Sequence, residues 1–211
     1  MCPVPPRQQP YQIASQLGFA ALRAHPPTPE RLAALGAEFH NGRIALSALT
    51  QRVWIDLDAE QVLLEDGRGV RAAWALLAIH YLAATKVQED RREVSLAAFT
   101  ENRGYISVFR QRIIGRFLGT VGRTSDGFIA KSEEIGGVRY DGPGVGYRFQ
   151  ALPRVPITLI RHAGDDEFGP DATVIYQADI ERLLPAEDRV VVVELLLDTL
   201  AGKPFTDREG T

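Results

Sequence analysis

Apolar residues recur every three or four positions along much of the chain, which is the spacing of one face of an α-helix. The clearest case is the stretch 70–85, where Val70, Trp74, Leu77 and Tyr81 follow at intervals of four, three and four. This stretch is apolar on nearly every side, as is typical of a helix buried in the centre of a protein. The same periodicity, with its end signals, predicts helices over 11–25, 28–36, 105–120, 128–135 and 187–201.

The segment 187–201 combines signals of a strand with signals of a helix. Four consecutive valines, residues 190–193, favour a strand, whereas residues 194–200 favour a helix. Glu187 and Asp188 place negative charge where the positive end of a helix dipole would lie, and Gly202 supplies a stop. We therefore predict a helix here.

A second pattern, in which apolar and polar residues alternate, is typical of strands. It occurs over 43–46 and 53–57, between Asn41-Gly42 and Asp66-Gly67, which are dipeptides that tolerate the positive φ of tight turns. We predict two or three short antiparallel strands in this region. Further strands are predicted over 147–152, 157–162 and 173–176.

These elements predict an α+β single domain, in which a mostly antiparallel sheet packs against several helices. The alternative, a doubly wound parallel fold, needs regular alternation of strands and helices, which the hairpin-like regions contradict. A length of 211 residues also fits one domain. Four prolines in residues 1–10 predict a flexible arm, residues 11–203 the domain, and residues 204–211 a loose tail.

Charge and cysteine content exclude several classes of function. The 24 basic and 27 acidic side chains give a net charge of −3, so no basic excess points to nucleic acid or to an anionic membrane. The longest apolar stretches fall short of the roughly 20 residues that span a bilayer, and a secretory signal is missing, so we expect a soluble cytoplasmic protein. The one cysteine, Cys2, excludes an internal disulfide and the ligand set of an iron–sulfur cluster. Any other cofactor stays unknown.

The first candidate site is an acidic turn between two predicted strands. Asp165, Asp166 and Glu167 stand next to Phe168 and close to His162. Carboxylates are ligands for hard divalent cations, and a carboxylate beside a histidine can transfer protons. Consecutive carboxylates point in different directions, however, and the spacing of a calcium loop is missing. A solvated turn or structural corner is the competing interpretation.

The second candidate group lies on two predicted helices. His80, followed by Tyr81, stands in the most apolar helix, and its near-neutral pKa in water suits acid–base chemistry. Arg112 belongs to a basic stripe that could bind an anion or an acidic partner. The competing interpretations are a histidine satisfied within the core and a solvated helix face. The chain contains no nucleophile elbow and no phosphate-binding loop with its lysine, so its catalytic residues stay unknown.

Several segments together resemble a known family. Residues 153–168 read PRVPITLIRHAGDDEF, residues 172–176 read ATVIY, and residues 183–188 read LLPAED. With His80-Tyr81-Leu82 and Gly104-Tyr105 upstream, this region of about 70–200 resembles the family named domain of unknown function 3786. The chain departs from that pattern at His162-Ala163, where the family has tryptophan, at the inserted Gly169, and at Tyr176-Gln177. Two of these three departures adjoin the acidic turn.

The resemblance implies little about chemistry. Members of that family look like proteins of anaerobic bacteria and archaea, and some carry a four-cysteine iron–sulfur segment of the kind found in corrinoid proteins of one-carbon metabolism. This chain lacks that segment. The leading expectation is a non-catalytic binding or accessory protein, linked by the resemblance to corrinoid or redox metabolism, with a protein partner or a small-molecule ligand. The alternative is a small enzyme that uses the acidic turn, with or without a divalent metal. A homo-oligomer also stays open.

Overall fold

The computed structural model describes residues 9–207. The helices are α1 (Gln9–Ala24), α2 (Pro29–Leu35), α3 (Ala72–Leu82), α4 (Ile106–Phe109), α5 (Arg116–Gly119), α6 (Ser125–Glu134), α7 (Ile180–Leu183) and α8 (Asp188–Leu200). The strands are β1 (Glu38–His40), β2 (Arg43–Ala48), β3 (Gln51–Asp56), β4 (Gln61–Leu64), β5 (Glu93–Val94), β6 (Val138–Tyr140), β7 (Val145–Leu152), β8 (Val155–His162) and β9 (Asp171–Gln177). A π-helical turn, Arg110–Gly115, joins α4 to α5, so residues 106–119 form one continuous helix.

The strands form two antiparallel sheets. The first has the order β1-β2-β3-β4 and the second the order β5-β9-β8-β7-β6. At the β2–β3 turn, the Leu49 amide donates a hydrogen bond of 3.1 Å to the Ala151 carbonyl of β7, which joins the two sheets. The α+β fold class is confirmed, and the antiparallel strands are divided between two sheets.

Helix α3 lies in the centre of the core, as the apolar residues on nearly every side of it predict. Trp74, Leu77 and Tyr81 are buried, and α3 packs against both α1 and α8. The approach of α1 is close: a Cβ atom on Gly18 would lie 2.5 Å from Cγ2 of Ile79. Only glycine therefore fits at this crossing without movement of α3.

Helix α8 is the second buried helix, and the helical prediction for this segment is confirmed. All four of its valines, residues 190–193, lie within the helix, and Val192, Val193 and Leu196 are completely buried. Its polar residues include Asp188 and Arg189, which are also buried. Buried charges need partners, so these two residues mark a polar region inside an otherwise apolar core.

The two ends of the predicted domain differ from the sequence-based boundaries. Helix α1 begins at Gln9, inside the predicted arm, while residues 1–8 of that arm lie outside the described residues. In the predicted tail, Phe205 is buried and its ring stacks on Trp74 at 4.6 Å. The backbone of Phe205 also accepts a hydrogen bond of 2.7 Å from the Arg71 amide. Packing against the core thus continues past residue 203, and residues 208–211 lie outside the described part.

Short elements account for most of the other differences. Strand pairing extends to β1, β5 and β6, which have three residues or fewer, and the four-residue α7 follows β9. Elements this short carry too few residues to show a period. Within residues 9–207, no helix is both long enough and apolar enough to cross a bilayer.

Candidate functional site

Three neighbouring cavities surround the N-terminal end of α8. Their volumes are about 380, 460 and 270 Å³. They share walls: Tyr11 and Glu187 line the first and third, Glu101 the first and second, and His80 the second and third. We treat them as one site, called the α8 cavity. The walls of the α8 cavity include Tyr11, His80, Glu101, Tyr105, Arg112, Glu187, Asp188, Val191 and Glu194.

A histidine and an aspartate are paired on the wall of this cavity. Nδ1 of His80, in the last turn of α3, lies 2.6 Å from Oδ2 of Asp188, the first residue of α8. The Asp188 side chain is 6% exposed and that of His80 is 29% exposed. Because an ionised carboxylate only accepts hydrogen bonds, Nδ1 is the donor, and Nε2 is the nitrogen left for a ligand or a proton.

A buried arginine fixes the chain just before α8. Arg189 is 2% exposed, and its guanidinium donates to the carbonyls of Leu184 (3.2 Å) and Glu181 (3.3 Å) and to Oδ1 of Asn102 (3.0 Å). Glu101 lies 3.1 Å away as its counter-ion. A fully hydrogen-bonded buried network of this kind is rigid. The turn that carries Glu187 and Asp188 is therefore held in place.

The opposite wall comes from the helix over residues 106–119. Arg112, in the π-helical turn, lies 2.6 Å from Glu194 and donates a hydrogen bond of 2.7 Å to the Tyr105 hydroxyl. One turn further on, Arg116 pairs with Asp198. Glu194 is the main cause that raises the pKa of the Arg112 guanidinium. Two ion pairs, one helical turn apart, thus join this helix to α8.

The α8 cavity is acidic. Five carboxylates line it, from Glu101, Glu181, Glu187, Asp188 and Glu194, against the guanidinium groups of Arg112, Arg182 and Arg189. The pKa of the Tyr11 phenol is raised, chiefly by burial and then by the charges of Glu194 and Glu187. Negative charge inside the cavity disfavours a further anion there and favours a cation.

Two of the residues singled out from the sequence line this site, in different cavities of it. His80 and Arg112 both line the α8 cavity. Tyr81 does not: its hydroxyl donates a hydrogen bond of 2.6 Å to the Leu35 carbonyl, and the residue is completely buried. Burial also raises the pKa of the Tyr81 phenol. Tyr81 thus ties α3 to the end of α2.

The acidic turn lies outside the α8 cavity, and the Asp165 side chain is hydrogen-bonded to the backbone of the turn itself. Oδ1 of Asp165 accepts hydrogen bonds from the amides of Glu167 (3.0 Å) and Phe168 (2.7 Å), which lower the pKa of Asp165. Phe168 is 70% exposed, and Asp166 is exposed as well. His162 pairs instead with the Thr173 hydroxyl at 2.9 Å. Neither of the cavities that His80 lines includes a residue of 162–168.

A metal site receives no support from residue clustering. Among residues 9–207, no three or more histidine, cysteine, aspartate or glutamate side chains come close enough together to hold a metal ion. The hydrogen bonds of Asp165 instead occupy one of its oxygens with the backbone of its own turn. These contacts are typical of a structural corner.

Sequence reasoning missed most of the site. Asp188 was used only as a helix-start signal, although it is the partner of His80, 108 residues earlier. Tyr105, Glu101 and Glu194 gave no signal of their own. A charged pair inside the valine-rich segment, Asp188-Arg189, was the available sign, because charges in a buried helix need partners from elsewhere in the fold.

Comparisons with known proteins identify a family. No curated protein and no solved structure matches the chain. The family model described as domain of unknown function (DUF3786) matches residues 28–199. This range includes the resemblance seen over residues 70–200 almost completely, and it extends upstream to α2 and the first sheet. The chain therefore belongs to the DUF3786 family.

Proposed function

We propose that this protein is a non-catalytic binding or accessory protein that takes a small amphipathic cation, an amine with an apolar or aromatic body, into the α8 cavity. We further propose that it works in the cytoplasm. The observation that carries the proposal is the excess of carboxylates over cations in the α8 cavity. Arg112 is already engaged by Glu194, whereas no ion pair is found for Glu187 among residues 9–207.

The rest of the lining supports an amphipathic ligand. Tyr11 and Tyr105 offer ring surface, and Val190 and Val191 provide apolar contact. An ammonium group close to a tyrosine ring and a carboxylate gains from both. The volume of about 380 Å³ in the first cavity lies at the lower end of the range for small-molecule sites. A ligand of modest size fits these dimensions.

The link to corrinoid or redox metabolism enters this proposal through a protein partner. It rests on the family resemblance, since none of the three cavities, of about 380, 460 and 270 Å³, is large enough for a whole corrinoid. Co-purification with a corrinoid or redox protein from the native host supports this part. Purified protein that retains no partner in a pull-down contradicts it without affecting the α8 cavity.

Two probes of nearly equal shape and opposite charge test the binding proposal. Phenethylamine is a cation and phenylacetate is an anion. We expect phenethylamine to raise the melting temperature, since a ligand at 100 times its Kd adds about 2.7 kcal/mol, and phenylacetate to leave it unchanged. Equal effects of the two probes, or none from either, contradict the proposal.

Two variants test whether phenethylamine binds in the α8 cavity. Glu187→Gln removes an exposed carboxylate of the α8 cavity and is expected to weaken phenethylamine binding. Asp141→Asn, in the exposed loop after β6, is the matched control and is expected to bind as the wild type does. Loss of binding in both variants would indicate attraction by net charge alone.

A second candidate function, acid–base catalysis, is favoured by one observation. His80 is oriented by the buried Asp188 and has Nε2 available, as in a general base. Mass spectrometry of a bound amine after long incubation separates the two functions. A binding protein returns the ligand unchanged. An enzyme converts it, and His80→Gln stops the conversion while binding persists.

The enzyme based on the acidic turn is the weaker alternative. A melting scan with magnesium, calcium, manganese and zinc tests it, because an ion that binds the folded state raises the melting temperature. A shift that Asp166→Asn abolishes would support this alternative. No shift with any of the four ions would count against its metal form.

A further inference from the structure

A buried carboxylate with one unsatisfied oxygen lies just after β9, outside the α8 cavity. Asp179 follows β9 and immediately precedes α7, where an aspartate usually caps the helix, yet its side chain makes no capping hydrogen bond. The residue is 3% exposed. Within residues 9–207, its Oδ1 atom has no hydrogen-bond partner. Buried polar atoms without partners are rare and call for a physical explanation.

The nearest cation, Arg154, does not supply the missing hydrogen bond to Asp179. Nη2 of Arg154 lies 3.9 Å from Oδ2 of Asp179, beyond hydrogen-bond distance. The same nitrogen lies 3.2 Å from the exposed Glu89, and Nη1 donates a long bond of 3.4 Å to the Ala34 carbonyl. Nε of Arg154 is buried and is also without a partner. An acceptor and a donor thus stand close together, both unsatisfied.

Both residues line a polar cavity of about 260 Å³ between the loop at 89–91 and strands β7 to β9. Its walls also contain Arg91 and Arg148, and its remaining carboxylate is Glu89. Arg148 is paired with Glu93, whereas Arg91 is paired with the exposed Glu89, at 3.1 Å. The Asp179 carboxylate in the floor of this cavity therefore needs a hydrogen-bond donor. The guanidinium groups of Arg91 and Arg148 stand at its rim.

We infer that this cavity, called the Asp179 cavity, binds a small zwitterion with an ammonium and a carboxylate on the same carbon, such as an α-amino acid. The ammonium donates to Asp179. The carboxylate is held by Arg154 and Arg91, because guanidinium groups bind carboxylates in forked geometry. Arg154 moves from Glu89 toward the ligand carboxylate, which uncovers Asp179. The size of the cavity restricts the ligand to about that of an amino acid.

The test begins with the whole protein and the twenty standard amino acids as probes, each at millimolar concentration, in a melting scan. The amino acid with the largest shift is then compared, by calorimetry, with its two halves: the amine that lacks the carboxylate and the acid that lacks the ammonium. We expect the amino acid to bind at least tenfold more tightly than either half. If either half bound as tightly as the amino acid, the inference that the ligand is a zwitterion would be overturned.

Three variants complete the test. Asp179→Asn keeps the shape and removes the charge, and Arg91→Gln removes the rim cation; each is expected to weaken binding at least tenfold. Arg103→Gln, an exposed arginine that does not line the Asp179 cavity, is expected to bind as the wild type does. Asp179→Asn relieves an unsatisfied buried charge, so its melting temperature is expected to be no lower than that of the wild type.

Two results would overturn the inference. One is the absence of any shift with all twenty amino acids, which would mean that Oδ1 of Asp179 holds a buried water only. The other is an unchanged affinity in Asp179→Asn. Phenethylamine binding in the α8 cavity is measured separately, and Glu187→Gln is expected to leave amino-acid binding intact. Failure at one cavity is therefore distinguishable from failure at the other.

Discussion

Two buried aspartates stand nine residues apart, at the beginnings of consecutive helices, and they differ in their partners. Asp188, at the start of α8, is paired with His80 at 2.6 Å. Asp179, just before α7, has an oxygen with no hydrogen-bond partner among residues 9–207, and burial raises the pKa of its carboxyl group. The same residue type in the same kind of position thus supports the fold in one case and opposes it in the other. Burial alone does not show what a charged residue contributes; the partner atoms do.

The largest expected effect comes from the network beside Asp188. Arg189→Ala removes a buried guanidinium that satisfies two carbonyls and Asn102, and leaves those acceptors without donors. We expect a loss of about 3–5 kcal/mol in the free energy of unfolding, measured in urea. Arg110→Ala, which breaks an exposed pair with Asp171, is the control and should cost less than about 1 kcal/mol. Similar losses in the two variants would contradict the role given to burial.

Asp188 itself is expected to come next. Asp188→Ala leaves Nδ1 of His80 without its acceptor and should cost about 1–3 kcal/mol. Denaturant unfolding measures this loss, and a double-mutant cycle with His80→Ala separates the pair from each residue's own contribution. A coupling energy near zero would mean that the pair only orients His80 and does not stabilise the fold.

Asp179 should respond with the opposite sign. We expect Asp179→Asn to stabilise the protein by about 1 kcal/mol at pH 7, because an unsatisfied buried group is relieved. The raised folded-state pKa means that Asp179 contributes stability below its unfolded pKa of about 3.9, and that this stability is lost as the pH rises through the folded pKa. The advantage of the variant should therefore vanish in acid. A destabilised variant at pH 7 would remove the contrast with Asp188.

The smallest effect is expected at the acidic turn. Asp166 is exposed and its carboxylate makes no contact on which the turn depends, so Asp166→Asn should change stability by less than about 0.5 kcal/mol. Asp165→Asn is the useful comparison, because the Asp165 carboxylate accepts two backbone hydrogen bonds. Thermal unfolding of the two variants, measured side by side, tests whether the turn is held by Asp165 alone.

The sequence predicted the long elements because their periodicity reflects burial on a regular surface. Helix α3 was visible because apolar residues occupy nearly all of its faces, and α8 because charges at its start outweighed its valines. Strands β1 and β6 were not visible, since three residues show no period. Phe205 was assigned to the tail because nothing in the local sequence announces its stacking on Trp74.

The candidate site was predictable only in part. His80 and Arg112 stood out as polar residues on helices, which a single sequence can show. The pairing of His80 with Asp188 depends on how α3 and α8 pack, and no local pattern encodes a contact across 108 residues. Asp179 gave no signal, because an aspartate before a helix usually indicates an ordinary N-cap.

The two ion pairs between the 106–119 helix and α8 have a mechanical consequence. Arg112 meets Glu194 and Arg116 meets Asp198, so both helices carry their charges four residues apart and run in the same direction. Sliding one helix along the other by this four-residue spacing, about 6 Å, would re-form only one of the two pairs. Intermediate positions leave both pairs out of register. The two pairs together therefore fix the register of the 106–119 helix against α8, and with it this wall of the α8 cavity.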